Sequence, residues 1–327
     1  MSRERKITLL TDQQNKLLII QVPCFNEEDT LAETLAELPR QVNGFGRVEW
    51  LVIDDGSSDR TVDVARKNGV DHIISHPRNL GLAAAFSTGL RACLELGADV
   101  IVNTDADNQY QGSYVDALTR PIVEGEADLV VGERPISQIS EFSRAKKILQ
   151  KVGSQVVRSL SGTPVRDAAS GFRAISRSAA TRLKVYGTYS YTMETLIQAG
   201  SERISVASIP IEVNPKTRDS RLVKSSLRYV FRSGATILRA YLLYKPFKFF
   251  FAFGSIFFVP GAALLTRWLY VFTSSEALHL VNLLIAVSFL LVSIQLWLFA
   301  LIANLFALNR KLISESLLEM RSIRENL

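Results

Sequence analysis

Cysteine and histidine are scarce in this sequence of 327 residues, which contains two cysteines and three histidines. Cys24 and Cys93 cannot form a disulfide framework, and no CxxC pair or Cys/His cluster indicates a zinc site. The three histidines are dispersed, so the sequence gives no support for a histidine-based metal hydrolase. Residues 1–16 are polar and charged without a long apolar run, which predicts that no secretory signal is present.

Charge of one sign is only mildly in excess, since 38 Lys and Arg against 32 Asp and Glu give a net charge of +6. With 47% hydrophobic and 21% charged residues, the chain is neither a disordered tail nor a fibrous repeat, and its length predicts about two domains. A basic excess can indicate nucleic-acid binding. Here, however, the cations cluster just before an apolar C-terminal region and no recognition module accompanies them, so we predict no nucleic-acid partner.

The C-terminal region contains two long apolar runs. Leu280–Leu308 has no charged side chain and is longer than the roughly 20 residues that a helix needs to cross a bilayer. Phe249–Thr266 is a second uncharged run, and Arg267 behind it can snorkel from a helix end. We predict transmembrane helices at about 249–272 and 280–308, with the proline in the first kinking rather than breaking it. Two buried core helices are the alternative, and a purely soluble protein is excluded.

Basic residues flank the two runs on one side only. They are Arg228, Arg232, Arg239, Lys245 and Lys248 before the first run, and Arg310 and Lys311 after the second. The connector Thr273–His279 contains Glu276 and no lysine or arginine. By the positive-inside bias, this pattern predicts an integral membrane protein whose N-terminal domain and both termini are cytoplasmic.

Four short apolar runs alternate with segments of helical periodicity in the N-terminal part. The apolar runs are Leu17–Val22, Val48–Ile53, Val100–Val102 and Leu129–Val131. The helical segments are Asp29–Leu38, Asp59–Lys67, Leu82–Leu96 and Tyr114–Val123. This alternation predicts an α/β fold with a mostly parallel sheet. In such sheets ligands bind beyond the carboxyl ends of the strands, where the polar motifs of this sequence lie.

Two carboxylate motifs follow predicted strands. Asp105 and Asp107, two residues apart after the third run, offer hard oxygen ligands that suit Mg²⁺ or Mn²⁺ held together with substrate phosphates, although a bare DxD also occurs in surface loops. Asp54–Asp59 (DDGSSD) follows the second run. Its local interpretation is turn chemistry, with Ser57 or Ser58 capping the next helix, and both interpretations can hold together.

Six motifs in this order resemble family 2 glycosyltransferases, and more narrowly the dolichyl-phosphate mannose synthase and polyprenyl-phosphate glycosyltransferase branch. They are Val22–Glu28, Ile53–Asp59, Asn79–Gly81, Asp105–Gln109, Gly132–Arg134 and Asp167–Arg173. The C-terminal hairpin adds to the resemblance, which covers roughly residues 17 to 308. It implies a GT-A fold, which is Rossmann-like, and a nucleotide-sugar donor.

The resemblance also implies roles for individual residues. The nucleotide would be bound by Pro23, Asn26, Glu27, Asp55 and Asp105, with Asp55 at the base. Mg²⁺ or Mn²⁺ would be held by Asp105, Asp107 and Gln109. The metal neutralises charge on the departing nucleoside diphosphate, and Arg134 reaches phosphate through its guanidinium. We therefore expect Asp105, Asp107 and Arg134 to be the catalytic set. Glu194 matches a family glutamate, but a structural role is equally consistent.

The chemistry of the acceptor favours a lipid phosphate. A sugar hydroxyl needs a base to become a nucleophile, whereas a phosphate monoester, with a second pKa of about 6, is already an oxyanion at neutral pH. Cations are abundant between Asn214 and Lys248, where Asp219 is the only acidic residue. Our candidates for the acceptor phosphate are Arg173, Arg218, Arg221 and Lys224. Many relatives carry a glycine-serine-lysine variant in this segment, and from Arg228 onward an amphipathic helix on anionic headgroups is the preferred interpretation.

The sequence thus predicts a cytoplasmic GT-A domain at 1–213, a basic juxtamembrane segment at 214–248, a two-helix hairpin within 249–308 and a cytoplasmic tail at 309–327. The predicted reaction is inverting, metal-dependent transfer of a hexose of the glucose or mannose type from a nucleotide sugar to polyprenyl phosphate. UDP is favoured over GDP as the nucleotide. The resemblance is also compatible with a homo-oligomer, including a tetramer, in contact with membrane lipids.

Three alternatives differ in class or in acceptor. A processive polysaccharide synthase would carry a QxxRW signature and more spans, but Arg267 and Trp268 lack the upstream glutamine. A diacylglycerol-type acceptor would present a hydroxyl and would need a base. A non-catalytic membrane scaffold would be favoured by loss of an acidic metal ligand, whereas Asp105, Asp107 and Gln109 are all present.

Overall fold

The structure is a computed structural model that describes residues 15–136, 144–185, 191–215, 226–275 and 280–325. It divides into two compact units, Met1–Leu238 and Arg239–Leu327. The first unit contains a seven-stranded sheet with helices packed on it. The second unit consists of long apolar helices.

The sheet has the strand order β3-β2-β1-β4-β6-β5-β7. Its strands are β1 Leu17–Cys24, β2 Arg47–Asp54, β3 His72–Ser75, β4 Val100–Asn103, β5 Leu129–Glu133, β6 Arg173–Ser176 and β7 Val206–Pro210. All neighbours pair in parallel except β6, which is antiparallel to both β4 and β5. The predicted α/β class and mostly parallel sheet are therefore confirmed.

The helices of the first unit lie between these strands along the chain, except the last, which follows β7. They are α1 Leu31–Glu37, α2 Thr61–Lys67, α3 Leu82–Glu95, α4 Val115–Val123, α5 Arg144–Ser161, α6 Arg177–Arg182, α7 Tyr191–Ser201 and α8 Ser226–Tyr244, the last of which runs on into the second unit. The four predicted strands and the four predicted helices all form, each within about two residues of its predicted bounds. The structure adds β3, β6, β7, α5, α6 and α7, which the sequence analysis did not place.

Burial explains which strands were easy to predict. Every residue of β1 is buried, because it lies inside the sheet with helices on both faces, and such strands read as continuous apolar runs. Strand β3, at the sheet edge, is only half-buried, and its short sequence begins with a histidine and ends with a serine. A four-residue edge strand of mixed polarity gives little periodic signal.

The antiparallel strand β6 determines which residues lie at the edge of the sheet where the parallel strands end. Asn103, the last residue of β4, pairs with Arg173, the first residue of β6. Residues that precede β6 therefore lie at the same edge as residues that follow the parallel strands. This brings Asp167–Phe172 to the carboxyl ends of β1, β2 and β4.

The second unit contains α9 Pro246–Ser275 and α10 Leu280–Glu325. Stretches Pro246–Ser274 and Leu280–Arg310 are long and apolar enough to cross a membrane. Only 11% and 17% of their most apolar windows are buried, so most of this apolar surface faces outward, unlike that of core helices. Pro260 lies inside a helix that continues on both sides of it, as expected.

Close packing holds α9 against α10. A Cβ on Gly254 would lie 2.6 Å from Cδ1 of Trp297, and one on Gly261 would lie 3.0 Å from Cβ of Phe289. The Trp297 indole N–H donates to the Phe251 carbonyl at 3.2 Å. Gly254 and Gly261 thus face residues in reverse order along the chain, so the two helices form an antiparallel hairpin.

Candidate active site

The loops after β1 and β2 are joined by side-chain hydrogen bonds. Asn26 has a left-handed backbone, with φ of 56°, and its N–H donates to Ser57 Oγ at 2.9 Å. Ser58 N–H donates to Asn26 Oδ1 at 2.8 Å, and Glu27 N–H donates to Thr61 Oγ1 at 2.8 Å. The structure therefore brings two predicted nucleotide-binding residues against the segment after β2, Asn26 at the DDGSSD motif and Glu27 at Thr61, the first residue of α2.

The serines of that motif do not cap the next helix. Helix α2 starts at Thr61 without a side-chain hydrogen bond from its N-cap residue, and Thr61 N–H donates instead to Asp59 Oδ1 at 3.0 Å. The prediction that Ser57 or Ser58 caps this helix is wrong, because both serines contact Asn26 across the site. The turn prediction itself holds, since Ser57 N–H donates to Asp54 Oδ1 at 3.0 Å.

Asp55 is buried and holds the segment that follows β3. Its Oδ1 lies 2.7 Å from Nδ1 of His76 and accepts from Leu80 N–H at 2.9 Å, and its Oδ2 accepts from Gly81 N–H at 2.8 Å. His76 Nε2 lies 3.0 Å from Thr88 Oγ1, so the imidazole is fixed on both sides. In this structure Asp55 therefore shapes the 76–81 loop. Its contact with a base stays a prediction, as does the role of Pro23, which is buried within β1.

Asp105 and Asp107 follow β4 and project from the carboxyl edge of the sheet. The carboxylate of Asp105 lies against Gly171, where an added Cβ would be 2.9 and 3.0 Å from its two oxygens. Burial, and next the charge of Asp107, raise the pKa of Asp105 to about 7, although Arg134 opposes the shift. The edge thus concentrates negative charge, to which Glu27 contributes.

The donor set fits a hard divalent cation. Asp105, Asp107 and Gln109 supply carboxylate and amide oxygens, and Gln109 N–H donates to Asp107 Oδ1 at 3.3 Å. Within the described ranges, no group of three or more His, Cys, Asp or Glu side chains could hold a metal by itself. Mg²⁺ commonly binds through one or two carboxylates and completes its shell with water and substrate phosphates. The residues present therefore fit Mg²⁺ or Mn²⁺ held jointly with a diphosphate.

A buried polar network holds the backbone next to the Asp105–Gln109 motif in place. Asn103 accepts from Gln21 Nε2 at 2.8 Å and donates from Nδ2 to the Gly171 carbonyl at 2.9 Å and to Tyr191 Oη at 2.8 Å. Gly171 N–H donates to Tyr110 Oη at 3.0 Å. Burial raises the pKa of Tyr110 to about 12, so its phenol stays protonated at neutral pH. The network fixes the backbone on which Asp105 rests.

Arg134 forms a buried bidentate ion pair with Asp167. Its Nε donates to Oδ2 at 2.7 Å and its Nη2 donates to Oδ1 at 3.0 Å, with the two side chains 11% and 2% exposed. Burial alone would lower the pKa of Arg134, but the Asp167 carboxylate reverses this and raises it. Arg134 is thus a fixed positive charge, near enough to Asp105 to favour its ionised form.

The predicted acceptor residues fall into two groups. Arg173 is buried, and each of its nitrogens has a protein partner: Nε donates to Ser170 O at 2.9 Å, Nη1 to Thr195 Oγ1 at 2.7 Å and Nη2 to Ala168 O at 3.1 Å. These contacts brace the 168–173 segment and leave no nitrogen directed outward. The other candidates, Arg218, Arg221 and Lys224, lie outside the described residues. Glu194 is buried in α7.

Several participants at this site were given no role from the sequence, among them Asp167, Asn103, Tyr191 and His76. Asp167 lies in a motif that the resemblance includes, but 33 residues separate it from Arg134 and nothing local identifies its partner. Asn103 is the one polar residue of the short strand β4, and that position was the available signal.

Comparison with known proteins gives a family and a fold. The sequence profile of glycosyl transferase family 2 matches residues 19–183. The UDP-N-acetylglucosamine–dolichyl-phosphate N-acetylglucosaminyltransferase of Methanococcus voltae is 30% identical over 224 residues, covering 61% of this chain and 86% of that protein. The undecaprenyl-phosphate mannosyltransferase of Micrococcus luteus is 31% identical over 159 residues, covering 47% of this chain and 63% of that protein.

Among solved structures, glucosyl-3-phosphoglycerate synthase of Mycobacterium tuberculosis with Mn²⁺, UDP and glucosyl-3-phosphoglycerate aligns with a TM-score of 0.55. It is 22% identical, and the alignment covers 72% of this chain and 81% of that chain. At this identity the likeness establishes the fold alone.

Proposed function

The chain belongs to glycosyl transferase family 2, and on that premise we propose that it transfers a hexose from a nucleotide sugar to a polyprenyl phosphate, with inversion. The product would be a polyprenyl-monophosphate sugar, formed at the cytoplasmic face of a membrane. The proposal rests on one combination of features in a single chain. Two carboxylates suited to a metal ion, Asp105 and Asp107, lie at the edge of the sheet. Two further helices are long and apolar enough to cross a bilayer. Relatives named for dolichyl and undecaprenyl phosphate support the acceptor class.

On the donor side, Asn26, Glu27 and the Asp55 loop would bind the nucleoside, and the diphosphate would lie at the carboxylate edge. Asp105, Asp107 and Gln109 would hold Mg²⁺ or Mn²⁺, which supplies charge neutralisation for the departing nucleoside diphosphate. Arg134, held rigid by Asp167, would contribute a second, permanent positive charge to the same leaving group. Fixed charges stabilise the transition state effectively, because they need no reorganisation during the reaction.

On the acceptor side, the phosphate would attack without a dedicated base. It is largely dianionic at neutral pH, because its second pKa is about 6. We assign its binding to Arg218, Arg221 and Lys224, and leave Arg173 out because each of its nitrogens donates to a protein oxygen. The choice of UDP over GDP, a glucose- or mannose-type sugar and a tetrameric state stay predictions.

A transfer assay tests this proposal. The full chain in proteoliposomes would receive undecaprenyl phosphate or dolichyl phosphate, Mn²⁺ or Mg²⁺, and a panel of labelled UDP- and GDP-sugars. We expect label to enter the lipid phase with one donor, and to be lost with EDTA and in Asp107→Ala. Absence of product from every donor, in a folded protein that still binds nucleotide, would overturn the polyprenyl-phosphate assignment. Product with a diacylglycerol acceptor instead would favour the hydroxyl alternative.

A further inference from the structure

Helix α10 has two opposite faces, and the residues of each repeat every seven positions. The face toward α9 carries small, fully buried residues, namely Ala286, Ser293 and Ala300. A Cβ on Gly254 of α9 would lie 3.1 Å from the Ser293 carbonyl oxygen. The opposite face carries leucines that are each between 54% and 66% exposed. They are Leu284, Leu291, Leu298, Leu305 and Leu312.

A second set of positions alternates with these leucines at intervals of three and four residues. Its members are all exposed, and they are Val281, Ser288, Gln295, Ile302 and Asn309. Together the two sets form what we call the heptad face. A spacing that averages 3.5 residues is typical of helices that wind around each other, because a strict seven-residue repeat stays in line with a partner helix only when the two supercoil. Helix α10 runs without a break through the whole face.

Gln295 shows that lipid alone does not suit this face. Exposed leucines need no protein partner in a bilayer, because lipid tails are as apolar as leucine. Gln295, however, lies at the middle of the apolar stretch Leu280–Arg310, and its side chain is exposed. No group in the described part of the chain is hydrogen-bonded to its amide. A polar side chain that faces hydrocarbon without a partner is costly, and glutamines in membrane helices bond to other helices.

A second copy of this chain supplies that partner. Copies that insert with the same orientation, as the flanking charges predict, have parallel α10 helices. In a parallel pair each member of the second set meets its own equivalent, so Gln295 faces the partner's Gln295. A primary amide both donates and accepts hydrogen bonds, and two identical amides can therefore satisfy each other. The heptad face is thus complementary to itself.

The face also extends beyond the apolar stretch, which ends at Arg310. Leu312 continues the leucine repeat there and is 61% exposed, and its neighbour Ile313 is 58% exposed. Outside the hydrocarbon, covering such side chains is favourable. Asn309 occupies the same heptad position as Gln295, two repeats later, and an asparagine at this position is known to specify register in two-stranded coiled coils.

We propose that α10 pairs in parallel with α10 of a second copy through the heptad face, and that Gln295 and Asn309 set the register of the pair. The inference rests on the membrane location in the proposed function, since it takes α10 as a spanning helix. It depends neither on the sugar nor on the acceptor.

Disulfide cross-linking of the full chain in proteoliposomes tests this geometry. Single cysteines are introduced on the heptad face by Leu291→Cys, Leu298→Cys and Leu305→Cys, and three residues further along, beside it, by Ile294→Cys, Leu301→Cys and Leu308→Cys. The two sets are matched in exposure, at 54–65% and 49–53%. The native cysteines are buried and so give little background. We expect a mild oxidant to cross-link the first set at least about fivefold more than the second, because a disulfide needs Cα atoms within about 7 Å.

A second measurement isolates the amide. Energy transfer between two fluorescently labelled populations, followed as lipid dilutes the protein in the vesicles, reports self-association. Gln295→Leu should weaken self-association about three- to thirtyfold, the range expected for a polar contact between membrane helices. Asn282→Leu is the control, because it removes an exposed amide from α10 outside the heptad face and should leave self-association unchanged.

The outcomes separate the pairing from the proposed reaction. Equal cross-linking of the two cysteine sets, or none in either, would overturn the heptad face as the contact. Unchanged association in Gln295→Leu would overturn the role of the amide. Release of the wild-type chain from vesicles at alkaline pH would overturn the membrane location and the pairing together. If cross-linking follows the heptad face but no donor gives a polyprenyl product, the proposed reaction fails while the pairing stands.

Discussion

The carboxylate of Asp167 and the guanidinium of Arg134 meet in two parallel hydrogen bonds, 2.7 Å from Nε and 3.0 Å from Nη2. This bidentate geometry fixes the plane of the guanidinium, which a lysine at the same position could not do. The pair joins the end of β5 to the segment before β6, two parts of the chain that meet only because β6 runs antiparallel in the sheet. A permanent positive charge is thereby held beside the carboxylate edge.

Breaking this pair should reduce both stability and transfer. Asp167→Asn keeps the shape but leaves a buried arginine without its counter-charge, for which a loss of about 3–5 kcal/mol in the free energy of unfolding is typical. We expect kcat to fall at least about tenfold, because about 1.4 kcal/mol of lost transition-state stabilisation has that effect. Denaturant unfolding and initial rates measure the two effects.

The exposed pair of Arg66 and Asp63, 3.6 Å apart, provides the control. Asp63→Asn removes the same kind of charge on the surface and should change stability by less than about 1 kcal/mol. Equal effects of Asp63→Asn and Asp167→Asn would contradict the role assigned to the buried pair.

Metal binding should depend on pH near neutrality. The pKa of Asp105 without metal is about 7, through burial and then through Asp107, and a carboxylate must lose its proton to bind a cation. The apparent affinity for Mn²⁺ should therefore fall as pH drops below about 7, by up to about tenfold per pH unit, and level off above it. Mn²⁺ titrations between about pH 5.5 and 8.5 measure this, and a flat profile across that range would contradict it.

The same raised pKa of Asp105 predicts in which direction the stability of the metal-free protein changes with pH. Because the folded metal-free protein holds the Asp105 proton up to about pH 7 and the unfolded chain releases it near 3.8, the folded state binds more protons between these values. This group should thus make the metal-free protein less stable as pH rises from about 4 to 7. Saturating Mn²⁺ should oppose that loss, because a ligand that binds only the folded state stabilises it.

Gly171 should tolerate no side chain. In Gly171→Ala the new methyl group would lie 2.9 Å from Asp105 Oδ1 and 3.0 Å from Tyr191 Oη, so the carboxylate or the network beneath it must shift. We expect weaker Mn²⁺ binding. The free energy of unfolding should fall by about 1–3 kcal/mol, as it does when a core is overpacked. Gly153→Ala is the control: nothing lies within 4 Å of its Cβ in α5, and it should stabilise that helix by up to about 1 kcal/mol. Metal affinity unchanged in Gly171→Ala would contradict the assigned contact.

Substitution of His76 should weaken binding of the nucleotide-sugar donor more than binding of the lipid acceptor. His76→Ala removes the imidazole that lies between Asp55 and Thr88 and so loosens the 76–81 loop next to the predicted nucleoside pocket. The KM for the nucleotide sugar should rise about three- to tenfold, equivalent to about 0.6–1.4 kcal/mol, with little change in the KM for the lipid. His72→Ala, which removes a half-exposed contact with Glu49 2.8 Å away, should change neither. A rise confined to the acceptor KM would contradict this placement.

Much of the fold could be predicted because the signals were local. A strand buried on both faces, such as β1, is apolar at every position but one, and a long uncharged run such as Leu280–Leu308 needs no tertiary information to indicate a membrane-length helix. Asp105 and Asp107 could likewise be placed at the edge of the sheet, because they directly follow a strand. Strands β3 and β7, short and only half-buried, gave no comparable signal.

By itself, the sequence determined the α/β class, the carboxylate motif at the end of β4 and the apolar hairpin, since each depends on hydrophobic pattern and composition along a short stretch of chain. Only the tertiary structure decided that Arg134 pairs with Asp167 and that Arg173 points into the core. The physical reason is that these contacts follow from the order and direction of strands. Inserting antiparallel β6 between β4 and β5 decides which distant side chains become neighbours, and no local periodicity encodes that choice.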